Sequence, residues 1–365
     1  MPLSKILLIT LEYPPFQGGV ARYYGNLVEN WEEEIRVLNK GLTSKFIWPR
    51  WLPALWKTWR MIKKEEIKML WVGQVLPLGY IALWFKRRRG LPYVVFTHGM
   101  DILTPQASKR KKLWLTKILK EARLVVANSN FTREEIKKLG IEENKITVVY
   151  PCAPKNLKTE FFDNGLLKEK YQLEGKKIIL SVGRLVKRKG FDKVIEVLPR
   201  ILKRAPEAVY VIIGTGEERE NLKRQIDDWG LGEKAMILEK VGDAELAGWY
   251  ESCAVFTMPC CQLGPDVEGF GTVFLEAQSF GKPVVAGNSG GAGETVRHGY
   301  GGYLINPANN EELYQALLKL LSDEEFAKRM GEYGRKWVEE NFSWEREAAK
   351  LEQAIKNSRL IKLTQ

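Results

Sequence analysis

The chain has 365 residues, enough for about two domains, and is 45% hydrophobic and 28% charged, as globular proteins are. Its apolar stretches are too short to span a bilayer, its N-terminus lacks a secretory signal, and its four cysteines fit neither a disulfide framework nor a zinc site, so we expect a cytoplasmic protein with free thiols. The net charge of +12 favours a polyanionic partner: a nucleotide diphosphate, an anionic lipid or a nucleic acid.

Short β-rich runs alternate with amphipathic segments of helical length along nearly the whole chain, which predicts a parallel α/β architecture. A polar segment from Pro151 to Gly175 separates two series of strands, so we predict two Rossmann-like sheets joined near residue 165, followed from about 309 by three helical segments. The predicted strands lie near 5–10, 34–38, 68–73, 93–97, 123–127 and 146–149, and near 177–182, 208–213, 235–239, 254–258, 283–286 and 303–305.

The first turn suited to a ligand runs from Tyr13 to Val20, between the first predicted strand and a helix beginning at about Val20. Gly18 and Gly19 would let the backbone approach an anion at the helix N-terminus, where free N–H groups favour negative charge. An ordinary strand-to-helix turn has the same spacing, so both interpretations stay open here.

Between Ile47 and Lys64, apolar residues recur at intervals of three and four, and basic residues occupy the other faces. This pattern predicts an amphipathic helix. Such a helix either lies on an anionic membrane surface, which the surplus tryptophans favour, or packs its apolar stripe against the sheet. The apolar positions are Trp48, Leu52, Leu55, Trp59 and Ile62.

The sequence contains two histidines. His98 directly follows the predicted strand 93–97, at the carboxyl edge where open α/β sheets bind ligands. A neutral imidazole there can handle a hydroxyl proton or orient a sugar, and a purely structural histidine is the alternative. His298 precedes Gly299, so we expect it at the C-terminus of a helix.

Basic residues follow the first strand of the second series. Gly183 ends that strand, and Arg184 and Lys189 stand five apart on a loop that enters a helix. A guanidinium and an ammonium converging over helix N–H groups would form a diphosphate clamp. Because Lys187 and Arg188 lie on the same loop, a solvated basic loop is the alternative.

The stretch from Asp266 to Glu294 combines two carboxylates with two glycine-rich turns. On one helix, Glu268 and Glu276 would stand about 12 Å apart along the axis, too far for a glycoside hydrolase pair. We therefore expect Glu268 on a loop, a nest of N–H donors at Gly269 to Gly271, and Glu276 in the following helix, where a carboxylate can bind a ribose diol.

Taken together, these motifs resemble those of the retaining glycosyltransferases of family four, whose two facing Rossmann-like domains form the arrangement called GT-B. Within that family the chain is most similar to phosphatidylinositol monomannoside mannosyltransferases, which use GDP-mannose; this rests on Asp266 to Gly271, Phe274 to Gln278 and the turn from Ser289 to Val296. The other matching motifs are Pro15 to Gly19, Thr97 to Gly99, Gly183 and Arg184 with Lys189, and Gly214 to Gly216.

The resemblance implies a role for each motif. The donor diphosphate would lie on Arg184 and Lys189, the ribose on Glu276, and the transferred sugar on Glu268 and the glycine-turn amides; His98 would lie against sugar and acceptor. The implied donor-binding residues are Gly18, Gly19, Gly183, Arg184, Lys189, Gly214, Glu268, Gly269, Phe270, Gly271 and Glu276, and the implied catalytic residues are His98, Glu268, Arg184 and Lys189.

The resemblance also implies an acceptor-binding domain of residues 1–165 with 346–365, to which the last helix crosses back, and a donor-binding domain of 166–345. It implies retention of configuration, no metal and no cofactor, and a lipid or glycan acceptor. Peripheral contact with the inner face of the plasma membrane is a separate hypothesis, based on the amphipathic segment and on the basic runs 86–89 and 109–112. Two alternatives stay open: a transferase that uses a UDP-sugar and a small soluble acceptor, and a basic nucleic-acid-binding protein, although the aromatic-interleaved motifs of nucleic-acid modules are missing.

Overall fold

A computed structural model describes residues 5–16, 18–154 and 164–360 of the chain. The chain divides into two compact units, one of residues up to Pro151 together with the segment from Trp344, and the other of Cys152 to Ser343. The first unit ends at Pro151, whereas the predicted domain boundary lies at 165/166. Residues 155–163, between these two positions, are outside the described residues. The four cysteines are free thiols, as expected.

The first unit alternates strands and helices from its start. Each strand is an apolar run of three to five residues, and the helices between them pack on the sheet. The elements are β1 (Ile6–Ile9), α1 (Gly19–Glu29), β2 (Ile35–Leu38), α2 (Leu52–Glu65), β3 (Met69–Val72), α3 (Leu78–Arg89), β4 (Tyr93–Thr97), α4 (Met100–Leu103), α5 (Lys109–Glu121), β5 (Leu124–Ala127), α6 (Asn130–Lys137) and β6 (Ile146–Val148).

The second unit repeats this alternation and ends in helices. Its elements are α7 (Asn164–Lys170), β7 (Lys177–Val182), α8 (Phe191–Leu202), β8 (Ala208–Ile213), α9 (Arg219–Asp228), β9 (Ala235–Leu238), α10 (Asp243–Ser252), β10 (Val255–Met258), α11 (Thr272–Ser279), β11 (Val284–Gly287), β12 (Gly302–Ile305), α12 (Asn310–Ser322) and α13 (Glu324–Asn341). The last helix, α14 (Trp344–Leu360), belongs to the first unit and packs on α1 and β5.

Both sheets are parallel and six-stranded, in the orders β2-β1-β3-β4-β5-β6 and β12-β11-β10-β7-β8-β9. In each sheet the order reverses at one point, between β1 and β3 in the first and between β7 and β10 in the second. Crossover connections leave in opposite directions at such a point, so the loops at the carboxyl ends of those strands enclose a crevice. The fold therefore gives each unit one candidate ligand crevice, at the carboxyl edge of its sheet.

Helix α2 corrects part of the amphipathic prediction. It begins at Leu52, and its inner face buries Ala54 and Thr58 and packs partly buried Leu55 and Trp59 on the core. Trp48 precedes the helix and is 87% exposed, so it does not belong to the inner stripe. No helix among the described residues is both long and apolar enough to cross a membrane.

Candidate functional site

In the second unit, the predicted donor-binding residues gather at the carboxyl ends of β7 and β10, the two strands of the switch point. Gly183 and Gly214 follow the neighbouring strands β7 and β8, both at positive φ. A methyl group on Gly214 would overlap the carbonyl oxygen of Gly183, and one on Gly216 would overlap that of Leu185. These glycines therefore let two loops pack backbone against backbone beside the crevice.

The basic loop after β7 separates its cations into two environments. Arg184 is exposed and forms no ion pair with any described residue, so its guanidinium is available to a ligand. Arg188 and Lys189, in contrast, are only 6% and 7% exposed and lie in the short helical turn that precedes α8. Arg184 and Lys189 lie on the loop that follows β7, as predicted, whereas their role as a diphosphate clamp stays a prediction. The alternative of a solvated basic loop holds for Arg184 and Lys187, which are exposed, but not for Arg188 and Lys189, which are buried.

The partner of the buried cations is Glu268, on the loop after β10. One oxygen of its carboxylate accepts from Arg188 Nη1 at 2.7 Å and also from Lys189 Nζ. Arg188 Nε lies 2.7 Å from an oxygen of Asp266. Burial would raise the pKa of Glu268, but the charges of Lys189 and Arg188 outweigh it and lower that pKa to about 2. Glu268 is therefore a fixed anion held between two fixed cations.

The turn after Glu268 has the predicted form of a glycine nest leading into a helix. Gly271 adopts φ 92° immediately before α11, a conformation that favours glycine. Among the described residues, none accepts a hydrogen bond from the N–H groups of Gly269 or Gly271, so both can donate to a ligand. Phe270 contributes no side chain to such a ligand, because its ring is buried against Phe342.

The second glycine-rich turn fixes the position of this loop. Gly291 donates its N–H to the carbonyl of Glu268 at 2.9 Å. A methyl group on Gly290 would overlap that same carbonyl oxygen, and one on Gly291 would overlap the carbonyl of Gly269. The two glycines thus allow the turn to lie directly on the backbone that carries the acid.

Glu276 lies in α11, as predicted, and is 2% exposed. Its carboxylate accepts a hydrogen bond from Tyr250 Oη on α10 at 2.7 Å. That bond fixes one oxygen of the carboxylate. Binding of a ribose by Glu276 stays a prediction.

In the first unit, the predicted residues follow β1 and β4. Gly18 and Gly19 form the turn into α1, which begins at Gly19, and the space around Gly19 is open; Gln17 lies outside the described residues. His98 directly follows β4, as predicted. Its backbone N–H donates to Asp101 Oδ1 at 2.7 Å, and its Nε2 lies 2.7 Å from Tyr24 Oη.

Burial determines the charge of the His98 and Asp101 side chains. It lowers the pKa of His98 to about 4, so the imidazole is neutral near pH 7. Burial also raises the pKa of Asp101 to about 7, although hydrogen bonds from backbone N–H groups, that of His98 first among them, act in the opposite direction. The imidazole is therefore suited to accept or relay a proton rather than to carry a charge.

Four residues of these sites were not predicted: Arg188 as a buried cation, Asp266, Tyr250 and Tyr24. Their partners lie between 26 and 80 positions away in the sequence. For Asp266, its position two residues before Glu268 was a signal that could have been used. The prediction for His298 is wrong, because it lies in an isolated bridge to Gly302 rather than at a helix end. The described residues contain no cluster of three histidine, cysteine or acidic side chains suited to a metal ion.

Comparisons with known proteins show which family the chain resembles. The model described as "Glycosyltransferase Family 4" matches residues 20–154, and that of "Glycosyl transferases group 1" matches residues 163–337. The capsular polysaccharide biosynthesis glycosyltransferase CapM of Staphylococcus aureus is 30% identical over 73% of this chain and 70% of its own length. The chain belongs to the glycosyltransferase family that these two models describe. It is an enzyme of the glycosyltransferase class, as predicted.

One further relative and one solved structure are similar to this chain over nearly its whole length. A GDP-mannose-dependent alpha-(1-6)-phosphatidylinositol monomannoside mannosyltransferase of Mycolicibacterium smegmatis is 29% identical over 97% of this chain and 99% of its own. The structure of Anabaena HepE in complex with UDP-glucose matches with a TM-score of 0.82 at 19% identity, over 97% of this glycosyltransferase and all of HepE. With the two parallel sheets, these neighbours confirm the predicted GT-B fold class.

Proposed function

We propose that the protein is a retaining, metal-independent hexosyltransferase that moves mannose from GDP-mannose to a hydroxyl group of a glycolipid or lipid-linked acceptor at the cytoplasmic face of the membrane. The observation that carries the proposal is the pairing of Glu268 with Lys189 and Arg188 at the switch point of the second sheet. Mannose and a lipid acceptor are supported by the printed activity of the mannosyltransferase relatives.

The proposed chemistry begins with departure of the nucleoside diphosphate. The bond between the anomeric carbon and the diphosphate oxygen breaks, and the negative charge on the leaving oxygen grows. Arg184 and Lys189 stabilise that charge, which is where fixed cations contribute most to a transition state. The leaving oxygen accepts the proton of the acceptor hydroxyl, whose oxygen bonds to the anomeric carbon on the same face, so the configuration is retained.

Fixed groups of this chain would position the sugar. Glu268 is ionised and immobilised by its two cations, so it can accept hydrogen bonds from sugar hydroxyls without reorganising. The N–H groups of Gly269 and Gly271 supply donors beside it. Because the exposed guanidinium of Arg184 forms no ion pair with any described residue, we propose that the charge on the diphosphate is met by side chains rather than by a metal ion.

The test is a screen of nucleotide-sugar hydrolysis and transfer with GDP-mannose, UDP-glucose and UDP-N-acetylglucosamine, followed by competition between GDP and UDP. We expect turnover of GDP-mannose and tighter binding of GDP. Preferential use of a UDP-sugar would favour the alternative donor. The proposed phosphate contacts would then bind the diphosphate of that donor in the same way. Salt-dependent binding of RNA without any nucleotide-sugar turnover would overturn the transferase proposal.

Glu276→Ala should weaken GDP binding about thirtyfold, since a hydrogen bond to a charged group contributes about 2 kcal/mol. Calorimetric titration with GDP measures the effect. The matched control is Tyr250→Phe, which removes the hydroxyl that holds Glu276 but keeps the carboxylate, and should weaken binding less. Unchanged GDP affinity in Glu276→Ala would remove Glu276 from the ribose site.

We also propose that the first unit contacts anionic membranes through an aromatic segment. Phe46 and Trp48 are 99% and 87% exposed, and Trp56 on the outer face of α2 is 56% exposed. The Arg60 guanidinium lies 5.6 Å from the ring centroid of Trp56. Exposed tryptophans next to cations are typical of surfaces that insert at a lipid interface. The aromatic segment comprises Phe46, Ile47, Trp48, Leu52 and Trp56.

The double substitution of Trp48 and Trp56 by serine should reduce binding to anionic vesicles at least tenfold, because each buried indole contributes on the order of 2 kcal/mol. Sedimentation with anionic and neutral vesicles measures it. Trp229→Ser is the matched control, since Trp229 is 48% exposed in the other unit. Equal binding of wild-type protein to both vesicle types would contradict the electrostatic contribution.

A further inference from the structure

A buried chain of hydrogen bonds ends at the side chain of His98. Tyr24, on α1, is completely buried. Its hydroxyl oxygen lies 2.7 Å from the carbonyl oxygen of Gly73, which follows β3, and 2.7 Å from His98 Nε2. The three groups come from the loops after β3 and β4 and from the helix after β1, which meet beside the switch point of the first sheet.

The chemistry of these groups allows one direction for the chain. A carbonyl oxygen can only accept, so the single hydroxyl proton of Tyr24 must point at Gly73. Were that proton to point at His98, two oxygens would face each other at 2.7 Å with no hydrogen between them. Burial raises the pKa of Tyr24 well above its ordinary range, so the proton is retained. Nε2 of His98 must therefore carry a proton and donate it to Tyr24.

This direction decides what the other ring nitrogen can do. The imidazole is neutral, because burial lowers its pKa, so a proton on Nε2 leaves Nδ1 with a free lone pair. Among the described residues, none forms a hydrogen bond with Nδ1. The backbone of His98 is fixed by the bond from its N–H to Asp101, and its ring lies edge-on against Tyr23 at 5.4 Å and Tyr24 at 5.5 Å between centroids. Nδ1 is thus a fixed, unpaired acceptor at the carboxyl edge of β4.

We propose that Tyr24 is a positioning residue that keeps the proton of His98 on Nε2, so that Nδ1 accepts a hydrogen bond from a hydroxyl group of a carbohydrate bound at the first unit. This assignment of a sugar hydroxyl rests on the proposed transferase function, whereas the position of the proton does not. Tyr24 itself is buried and touches no ligand. It acts through the imidazole, in the way that an oriented partner fixes a catalytic histidine tautomer.

Nitrogen NMR of the full chain tests the proton position directly. Only two histidines are present, so histidine-selective ¹⁵N labelling gives two rings, and His298→Asn identifies the signals of His98. We expect His98 to show a protonated Nε2 and an unprotonated Nδ1 at pH 7. A protonated Nδ1 in the wild-type protein would overturn the proposal, whether or not the chain transfers mannose.

Two tyrosine variants separate positioning from packing. Tyr24→Phe removes the acceptor of the Nε2 proton, so we expect His98 to populate both tautomers and kcat to fall roughly tenfold. Tyr23→Phe is the matched control: it is equally buried and contacts the same imidazole, but its hydroxyl donates to Val149. It should preserve both the tautomer and kcat. An unchanged tautomer in Tyr24→Phe, or an equal change in Tyr23→Phe, would contradict the assignment.

Variants of His98 identify the nitrogen that contacts the ligand. The amide of His98→Asn places a carbonyl acceptor near the position of Nδ1, and that of His98→Gln places its amide near Nε2. We expect kcat/KM for the donor found active in the screen to be at least several-fold higher in His98→Asn than in His98→Gln. The reverse order would assign the ligand contact to Nε2 and overturn the proposal.

Discussion

Arg184→Ala should lower kcat for sugar transfer by roughly 100-fold, in the range observed when one preorganised charge-stabilising group is removed. The free energy of unfolding should change by less than about 0.5 kcal/mol, because the exposed guanidinium forms no ion pair with any described residue. Steady-state kinetics with saturating donor and urea denaturation measure the two quantities. A large kinetic effect without a stability effect would be specific to a ligand contact.

Lys187→Ala is the control, since Lys187 is an exposed cation of the same loop that pairs with Asp192. It should retain near wild-type kcat, so that loss of local positive charge alone is excluded as the cause. Lys189→Ala should also lower kcat, but with a loss of stability, because its ammonium group pairs with buried Glu268. Near wild-type kcat in Arg184→Ala would remove Arg184 from the diphosphate site.

Arg188→Met should destabilise the protein by about 3 kcal/mol at pH 7, since removal of one member of a buried ion cluster leaves uncompensated charge. Asp266 would lose the guanidinium at 2.7 Å, and Glu268 would keep only Lys189. Urea unfolding measures the change. Arg200→Met, which breaks an ion pair with Glu311 that is exposed at both ends, is the matched control and should cost less than about 1 kcal/mol.

The stability contribution of this cluster should depend on pH with a definite sign. The pKa of Glu268 falls from 4.5 to about 2 on folding, so its ionised form stabilises the folded state at every pH above 4.5. That stabilisation is lost as the pH falls from 4.5 through about 2. The difference between wild-type protein and Arg188→Met should therefore shrink over this range. A difference independent of pH would mean that Arg188 contributes by packing alone.

The strands were predictable because each is a short apolar run between turn residues; all twelve lie within one residue of their predicted bounds at each end. The site glycines and Glu268 were predictable for a similar reason, since loop glycines and acids stand beside those strands. The burial of Arg188 was not predictable, because the carboxylate that makes burial tolerable lies 80 positions later in the chain. Local sequence likewise gave no indication that Tyr24 contacts His98, or that Trp48 faces outwards while Trp59 packs inwards.

The ion pair between Arg188 and Glu268 also links ligand binding to the order in which the parts of the second unit fold. The two loops are far apart in sequence and meet only when β7 pairs with β10. Until that pairing forms, Glu268 is an ordinary solvated acid, and the glycine turn behind it has no fixed neighbour. Contacts of such long sequence separation form late, because closing the loop between them costs entropy first. Nucleotide affinity would then be among the last properties of the second unit to return on refolding.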